Sequence, residues 1–208
     1  MPRSGLISFA AVAALAIVVA VFVAVVIAAR GFDSELQYAT LLPEPLPLPE
    51  FSLTDQHGEP FTRDSLRGQA SLMFFGFTHC PDICPATLQQ LALARKQLAQ
   101  KTPGVALPEI ILISVDPERD TPAKLAEYSA HFGDGVAAAT GSLEAIRDLT
   151  SPLGIFFEKQ PGGEGDYTVS HSTAVLFIGE DAALEALFSA PHQTESFVHD
   201  IPRLMASR

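Results

Sequence analysis

Basic residues are scarce in this 208-residue chain, with 13 Lys and Arg against 24 Asp and Glu. Setting aside Arg3 and Arg30 leaves 11 basic side chains against all 24 acidic ones, a formal charge of −13. A nucleic-acid groove needs clustered cations to neutralise phosphates, so nucleic acid is excluded as a partner. No internal repeat is visible. Charge is missing altogether from Leu6 to Ala29, where Ser8 is the clearly polar side chain. Cysteine is limited to Cys80 and Cys84.

The uncharged run of 24 residues reaches about 36 Å as a helix, enough to span a bilayer with some tilt. A cleaved secretory signal usually has an apolar stretch of only about 7–15 residues, so residues 6–29 are predicted to be a membrane anchor. The basic excess near the N-terminus is slight, but it favours residues 1–5 inside the cytoplasm and the remainder outside. Residues 30–50 read as a tether, because the alternating prolines of Leu42 to Glu50 favour extended polyproline spacing. The domain is then expected over residues 51–208.

Within that domain the elements alternate. Phe51–Asp55 and Pro60–Thr62 flank a turn containing His57 and Gly58, a hairpin signature. Ser71 to Phe77 and Glu109 to Val115 are nearly continuous apolar runs, as expected of strands buried on both faces. Helical spacing runs from Pro85 to Lys101, with Cys84 predicted as N-cap because Pro85 suits the first helical position. Further helices are predicted from Thr121-Pro122 to about His131, over Ser142–Thr150 and over Thr194–Ala206. Phe156-Phe157 and Tyr167–Val169 frame a glycine-rich turn. Thr173–Ile178 and Ala183–Phe188 read as hairpin-paired strands. This order, β-α-β-α followed by β-β-α, is that of an α/β thioredoxin-like sandwich.

Cys80 and Cys84 join a buried strand to a helix, at the sheet edge where α/β folds present reactive groups. The helix N-terminus is expected to lower the thiol pKa values, with Asp82 opposing. A purely structural disulfide is a poor account of the pair, since a bridge closing so short a loop removes little chain entropy. Redox chemistry and soft-metal binding both fit; Cu(I) accepts two thiolates, and Cu(II) wants nitrogen as well. A peroxidatic reading is disfavoured, because no Arg or Lys lies between Gln69 and Gln90 to stabilise a lone reactive thiolate.

Six histidines are available for a third ligand. His57 sits in the hairpin turn, and His79 is expected to point away from Cys80 along an extended strand. His131 ends a helix, and His192 and His199 fall in a polar segment read as solvated. His171 precedes a buried strand that, in a thioredoxin-like fold, lies beside the dithiol. It reads either as a ligand or as a polar loop histidine. Asp116 to Pro122 reads as helix-start chemistry, with Asp120 or Thr121 as N-cap, the alternative being a partner-facing role for Asp116, Glu118 and Arg119.

Three segments together resemble the Sco/SenC family of copper chaperones for cytochrome c oxidase assembly. They are Phe74 to Pro85, with Cys-Pro-Asp-Ile-Cys at its centre, Ile113 to Pro122, and Tyr167 to Ser172. The resemblance covers roughly residues 51–205 and extends to an N-terminal membrane anchor. It implies a thioredoxin-like domain holding one copper, as Cu(I) or Cu(II), through Cys80, Cys84 and His171. It further implies delivery to the copper-bearing subunit of the oxidase, a second copper chaperone as donor, and the bacterial inner membrane with the domain in the periplasm. The alternative role is a thiol–disulfide oxidoreductase in which Cys80 and Cys84 keep the oxidase copper-ligand cysteines reduced. One departure is Ser170, where the family commonly has an aspartate before the histidine.

Overall fold

The computed structural model describes residues 35–162 and 166–206. The predicted cytoplasmic segment 1–5 and membrane helix 6–29 lie outside these residues. Among the described residues no helix is long and apolar enough to cross a membrane.

The elements run β1 (Ala39–Pro47), β2 (Ser52–Asp55), β3 (Pro60–Thr62), β4 (Ser71–Gly76), α1 (Ile83–Lys101), β5 (Glu109–Ser114), α2 (Pro122–Ala130) and β6 (Val136–Thr140). They continue with α3 (Leu143–Thr150), β7 (Phe157–Pro161), β8 (Tyr167–His171), β9 (Val175–Ile178), β10 (Ala183–Phe188) and α4 (Thr194–Ala206). One sheet has the order β1-β10-β9-β4-β5-β6-β2-β3, and β7 with β8 forms a second, two-stranded sheet. This is the mixed α/β thioredoxin-like fold.

The two apolar runs form the centre of the large sheet. β4 pairs parallel to β5, from Ser71 opposite Glu109 to Gly76 opposite Ser114, and antiparallel to β9. All six β4 residues are buried, and Phe74, Phe75, Leu88, Leu91, Phe177 and Phe197 fill the core around them. Burial on both faces explains why β4 shows no polar alternation. Gln90 on α1 accepts from both the N–H and the hydroxyl of Thr194, joining α1 to α4.

Three features differ from expectation. The proline-rich segment is not a free stalk: β1 pairs antiparallel with β10, and the folded unit begins at Leu36 instead of residue 51. Polyproline and β conformations have similar φ and ψ, and an edge strand tolerates proline because one row of its N–H groups needs no partner. Pro43 and Pro45 fall where the register shifts between Leu41 and Leu46. Second, β6 carried no strand signal, because three consecutive alanines favour helix by propensity; pairing with β5 and β2 imposes the extended form. Third, Asp82 occupies the N-cap of α1, which places Cys84 inside the first turn. The other helix starts are as expected, with Thr121 capping α2 and Ser142 capping α3.

Candidate metal centre

The loop after β4 carries the cysteines, and a buried carboxylate holds it. Asp120 accepts the Thr78 N–H at 2.9 Å, the Thr78 hydroxyl at 2.5 Å and the Ser114 hydroxyl at 2.6 Å. Asp120 is fully buried. The Cys80 N–H donates to the Phe77 carbonyl, and the Cys84 N–H donates to Cys80 Sγ at 3.4 Å. Both cysteines are free thiols, Cys80 half-buried and Cys84 buried. Space for Cys84 exists because residue 76 is glycine: a Cβ there would lie 2.9 Å from the Cys84 sulfur.

His171 comes to the same place from 87 residues away, with Nε2 at 3.4 Å from Cys84 Sγ. Its Nδ1 lies 2.9 Å from the Ser172 carbonyl. Because a carbonyl can only accept, Nδ1 carries the proton and Nε2 turns a lone pair toward the thiols. Phe74 and Phe77 pack edge-on against the imidazole, at centroid distances of 6.0 and 5.9 Å. The two sulfurs and the histidine nitrogen lie within 4.8 Å of one another, the one such cluster among the described residues. Ser170 is exposed, and the ring is oriented by a backbone carbonyl instead of a preceding carboxylate.

Burial governs the electrostatics. It pushes the Cys84 thiol far up, reinforced by its contact with Cys80 and opposed by a backbone hydrogen bond at Phe77. The expected lowering therefore does not occur at Cys84: the pull of the helix N-terminus loses to desolvation of the thiolate. Burial also lowers His171, against the opposing pull of the Ser172 carbonyl, so the imidazole is neutral and free to act as a ligand. Two soft sulfur donors and one neutral nitrogen, facing one point, suit copper in either oxidation state.

The segment Asp116 to Asp120 proves to be more than helix-start chemistry. Thr121 is the cap, while Asp120 points inward to the cysteine loop. Asp116 accepts from Tyr167 Oη at 2.7 Å and from Arg119 Nε at 2.5 Å, which ties this turn to the strand bearing His171. Asp120 and Tyr167 were not recognised from sequence. Two signals were available: both residues fall in segments that carry the family resemblance, and acidic residues in Asp116–Asp120 follow a fully buried strand, where a carboxylate must find donors.

The remaining histidines stay apart from the thiols. His57 is exposed beside Gln56, and His79 lies 3.0 Å from Lys124 Nζ. His131 donates from Nδ1 to the Glu127 carbonyl. His192 and His199 correct the expectation of solvated side chains. His192 is half-buried, bonded to the Thr173 carbonyl at 2.7 Å and stacked on Phe197. His199 is 2.5 Å from Asp200 and edge-on to Tyr38.

Comparison with known proteins agrees with this geometry. The SCO1/SenC family model matches residues 43–206. A Stutzerimonas stutzeri protein named for copper binding is 36% identical over 165 residues, 79% of this chain and 80% of that one. The bovine mitochondrial SCO2 homologue is 36% identical over 159 residues, 76% of this chain and 59% of its own length, so the chain spans about three fifths of that relative. The solved structure of Arabidopsis thaliana ScoI with copper bound superposes with a TM-score of 0.72 at 31% identity, covering 76% of this chain and 98% of that one.

Proposed function

Because the chain belongs to the SCO1/SenC family, we propose that Cys80, Cys84 and His171 hold one copper ion, which the protein delivers to the dinuclear copper centre of cytochrome c oxidase. The observation that carries this reading is the convergence of three ligand atoms within 4.8 Å. Copper is cargo here, so the site must release it as well as bind it. Cys80 is half-buried and lines a cleft open to solvent with His171, which leaves room for an acceptor thiolate or imidazole to replace these ligands one at a time.

Anchoring through residues 6–29 in a bacterial inner membrane, with the domain in the periplasm, belongs to the same proposal. The uncharged 24-residue run supports it. The acceptor is the copper-bearing oxidase subunit, and a second copper chaperone is the donor.

The test is copper binding by the His171→Ala variant. Cu(II), which wants nitrogen, should weaken much more than Cu(I), which the two thiolates can satisfy. Equal loss for both oxidation states sinks the assigned ligand set. Deletion of the protein in its host should lower oxidase activity, with rescue by added copper.

A second reading rests on both cysteines being free thiols with Cys84 behind Cys80. Cys80 would attack an oxidised cysteine pair of the partner, and Cys84 would resolve the mixed disulfide. The partner gains two thiols as Cys80 and Cys84 become a disulfide. Rescue of the deletion by reductant but not by copper would select this role.

A further inference from the structure

The strand that carries His171 belongs to a two-stranded sheet of its own, so the large sheet gives it no main-chain ladder. Side chains from the turn after β5 fasten it instead. Arg119 Nη1 donates to the Tyr167 carbonyl at 3.0 Å, and its guanidinium lies 3.7 Å from the centroid of the Tyr167 ring. The Tyr167 hydroxyl and Arg119 Nε take the two oxygens of Asp116. Lys159, on the neighbouring strand β7, also lies 3.7 Å from the Tyr167 centroid and pairs with Glu118 at 2.7 Å.

This clamp reaches His171 by two routes. Along β8 the inward positions are Tyr167, Val169 and His171, with the exposed Thr168 and Ser170 between them. A strand is stiff along its length, so displacing Tyr167 displaces the imidazole about 13 Å further on. The Arg119 guanidinium also lies 5.7 Å from the Phe77 ring, and Phe77 packs edge-on against His171.

We propose that Arg119 and Tyr167 are positioning residues for the third copper ligand, holding His171 within reach of Cys84 and thereby setting the affinity for Cu(II) independently of Cu(I). The proposal rests on His171 being a ligand. The cysteine loop keeps its own anchors, Asp120 and α1. Loosening the clamp therefore leaves the thiol pair attached, even though Arg119 also faces Phe77, whose carbonyl accepts the Cys80 N–H. Cu(I) can remain on two sulfurs, whereas Cu(II) loses its nitrogen. Substitution of groups that orient a metal ligand typically costs about 10- to 100-fold in affinity, and Arg119→Gln should fall in that range for Cu(II). Tyr167→Phe, which deletes one hydroxyl and keeps the ring, should cost about tenfold.

The test uses the full chain in detergent. Cu(II) affinity and the sulfur-to-copper absorption band are measured for Arg119→Gln, Tyr167→Phe and His171→Ala, alone and as the Arg119→Gln/His171→Ala double variant. Cu(I) affinity is measured by competition with a chelator. The expected result is weaker Cu(II) binding with a shifted band, unchanged Cu(I) affinity, and no further loss in the double variant beyond His171→Ala alone. Tyr167→Phe provides the readout where Arg119→Gln fails to fold. Unchanged Cu(II) binding in both clamp variants, equal loss of Cu(I) and Cu(II), or additive loss in the double variant each overturns the clamp while leaving the ligand assignment standing. Unchanged Cu(II) binding in His171→Ala overturns the ligand assignment, and the clamp with it.

Discussion

Asp120 holds Thr78 twice, taking its backbone N–H at 2.9 Å and its hydroxyl at 2.5 Å across 42 residues of sequence. Four residues earlier, Asp116 takes the Tyr167 hydroxyl at 2.7 Å. One turn of chain after β5 therefore holds both halves of the metal centre, the cysteine loop through Asp120 and the histidine strand through Asp116. The two attachments use different carboxylates, joined to each other by the Asp120 N–H donating to the Asp116 carbonyl and by the Ser114 hydroxyl. Loss of either side chain should disturb one half of the site more than the other.

Removing Asp120 should affect every state of the site. Hydrogen bonds to a charged group are worth about 1.5–3 kcal/mol each and do not simply add, so Asp120→Ala should destabilise the fold by about 3 kcal/mol. The loop bearing Cys80 then loses its anchor, and Cu(I) and Cu(II) affinities should fall together. Urea unfolding and parallel copper titrations check this. A selective loss of Cu(II) alone would contradict the assignment of Asp120 to the thiol half.

Gly76 is required by the volume of Cys84. An added Cβ would lie 2.9 Å from the Cys84 sulfur, 3.0 Å from Phe74 and 3.3 Å from Leu112. These neighbours are packed in the core, where overpacking typically costs about 1–3 kcal/mol. Gly76→Ala should lose that much stability and displace Cys84, weakening Cu(I) binding. Wild-type stability and affinity in this variant would show that the core can yield here.

Copper binding should release protons. Burial keeps Cys84 protonated at neutral pH, and only the thiolate is a good copper ligand. Apparent affinity should therefore rise with pH, about tenfold per pH unit for each proton displaced. Calorimetry in buffers of different ionisation enthalpy should detect release of the Cys84 proton when Cu(I) binds the reduced protein. Buffer-independent heats would mean that Cys84 gives up no proton to the metal.

Acid should loosen the start of β1. Burial alone would raise Asp200, but hydrogen bonds from His199 and from the N–H groups of Ala39, Gln37 and Tyr38 outweigh it and hold the carboxyl below its usual range. A carboxylate with a lowered folded-state pKa contributes stability that is fully present above its unfolded value, about 3.9, and is lost as pH falls through the folded value. Stability should fall with acid in that window, and Asp200→Asn should remove part of the fall. The same variant should speed amide exchange at Gln37–Ala39. Parallel stability curves for the two proteins, with unchanged exchange, would rule Asp200 out as the latch.

Much of the fold was legible because it rests on short-range chemistry. The apolar runs of β4 and β5, the Thr121-Pro122 helix start, the Gly58 turn and the cysteine spacing each express a local period or cap. Local patterns also misled where tertiary pairing overrode them. The prolines of β1 suggested a stalk, yet β10 offers that edge a partner. The alanines of β6 suggested no strand, yet β5 and β2 extend them from either side.

By itself, the sequence determined that a closely spaced pair of cysteines follows a buried strand and that a 24-residue uncharged run precedes the domain. Three matters only the tertiary structure decided. It brought His171 to 3.4 Å from Cys84, it turned Asp120 inward to the cysteine loop, and it buried Cys84 so that its thiol is raised instead of lowered. Each depends on which distant residues share a cavity. That follows from sheet order and register, summed over the whole chain, and no local window contains it.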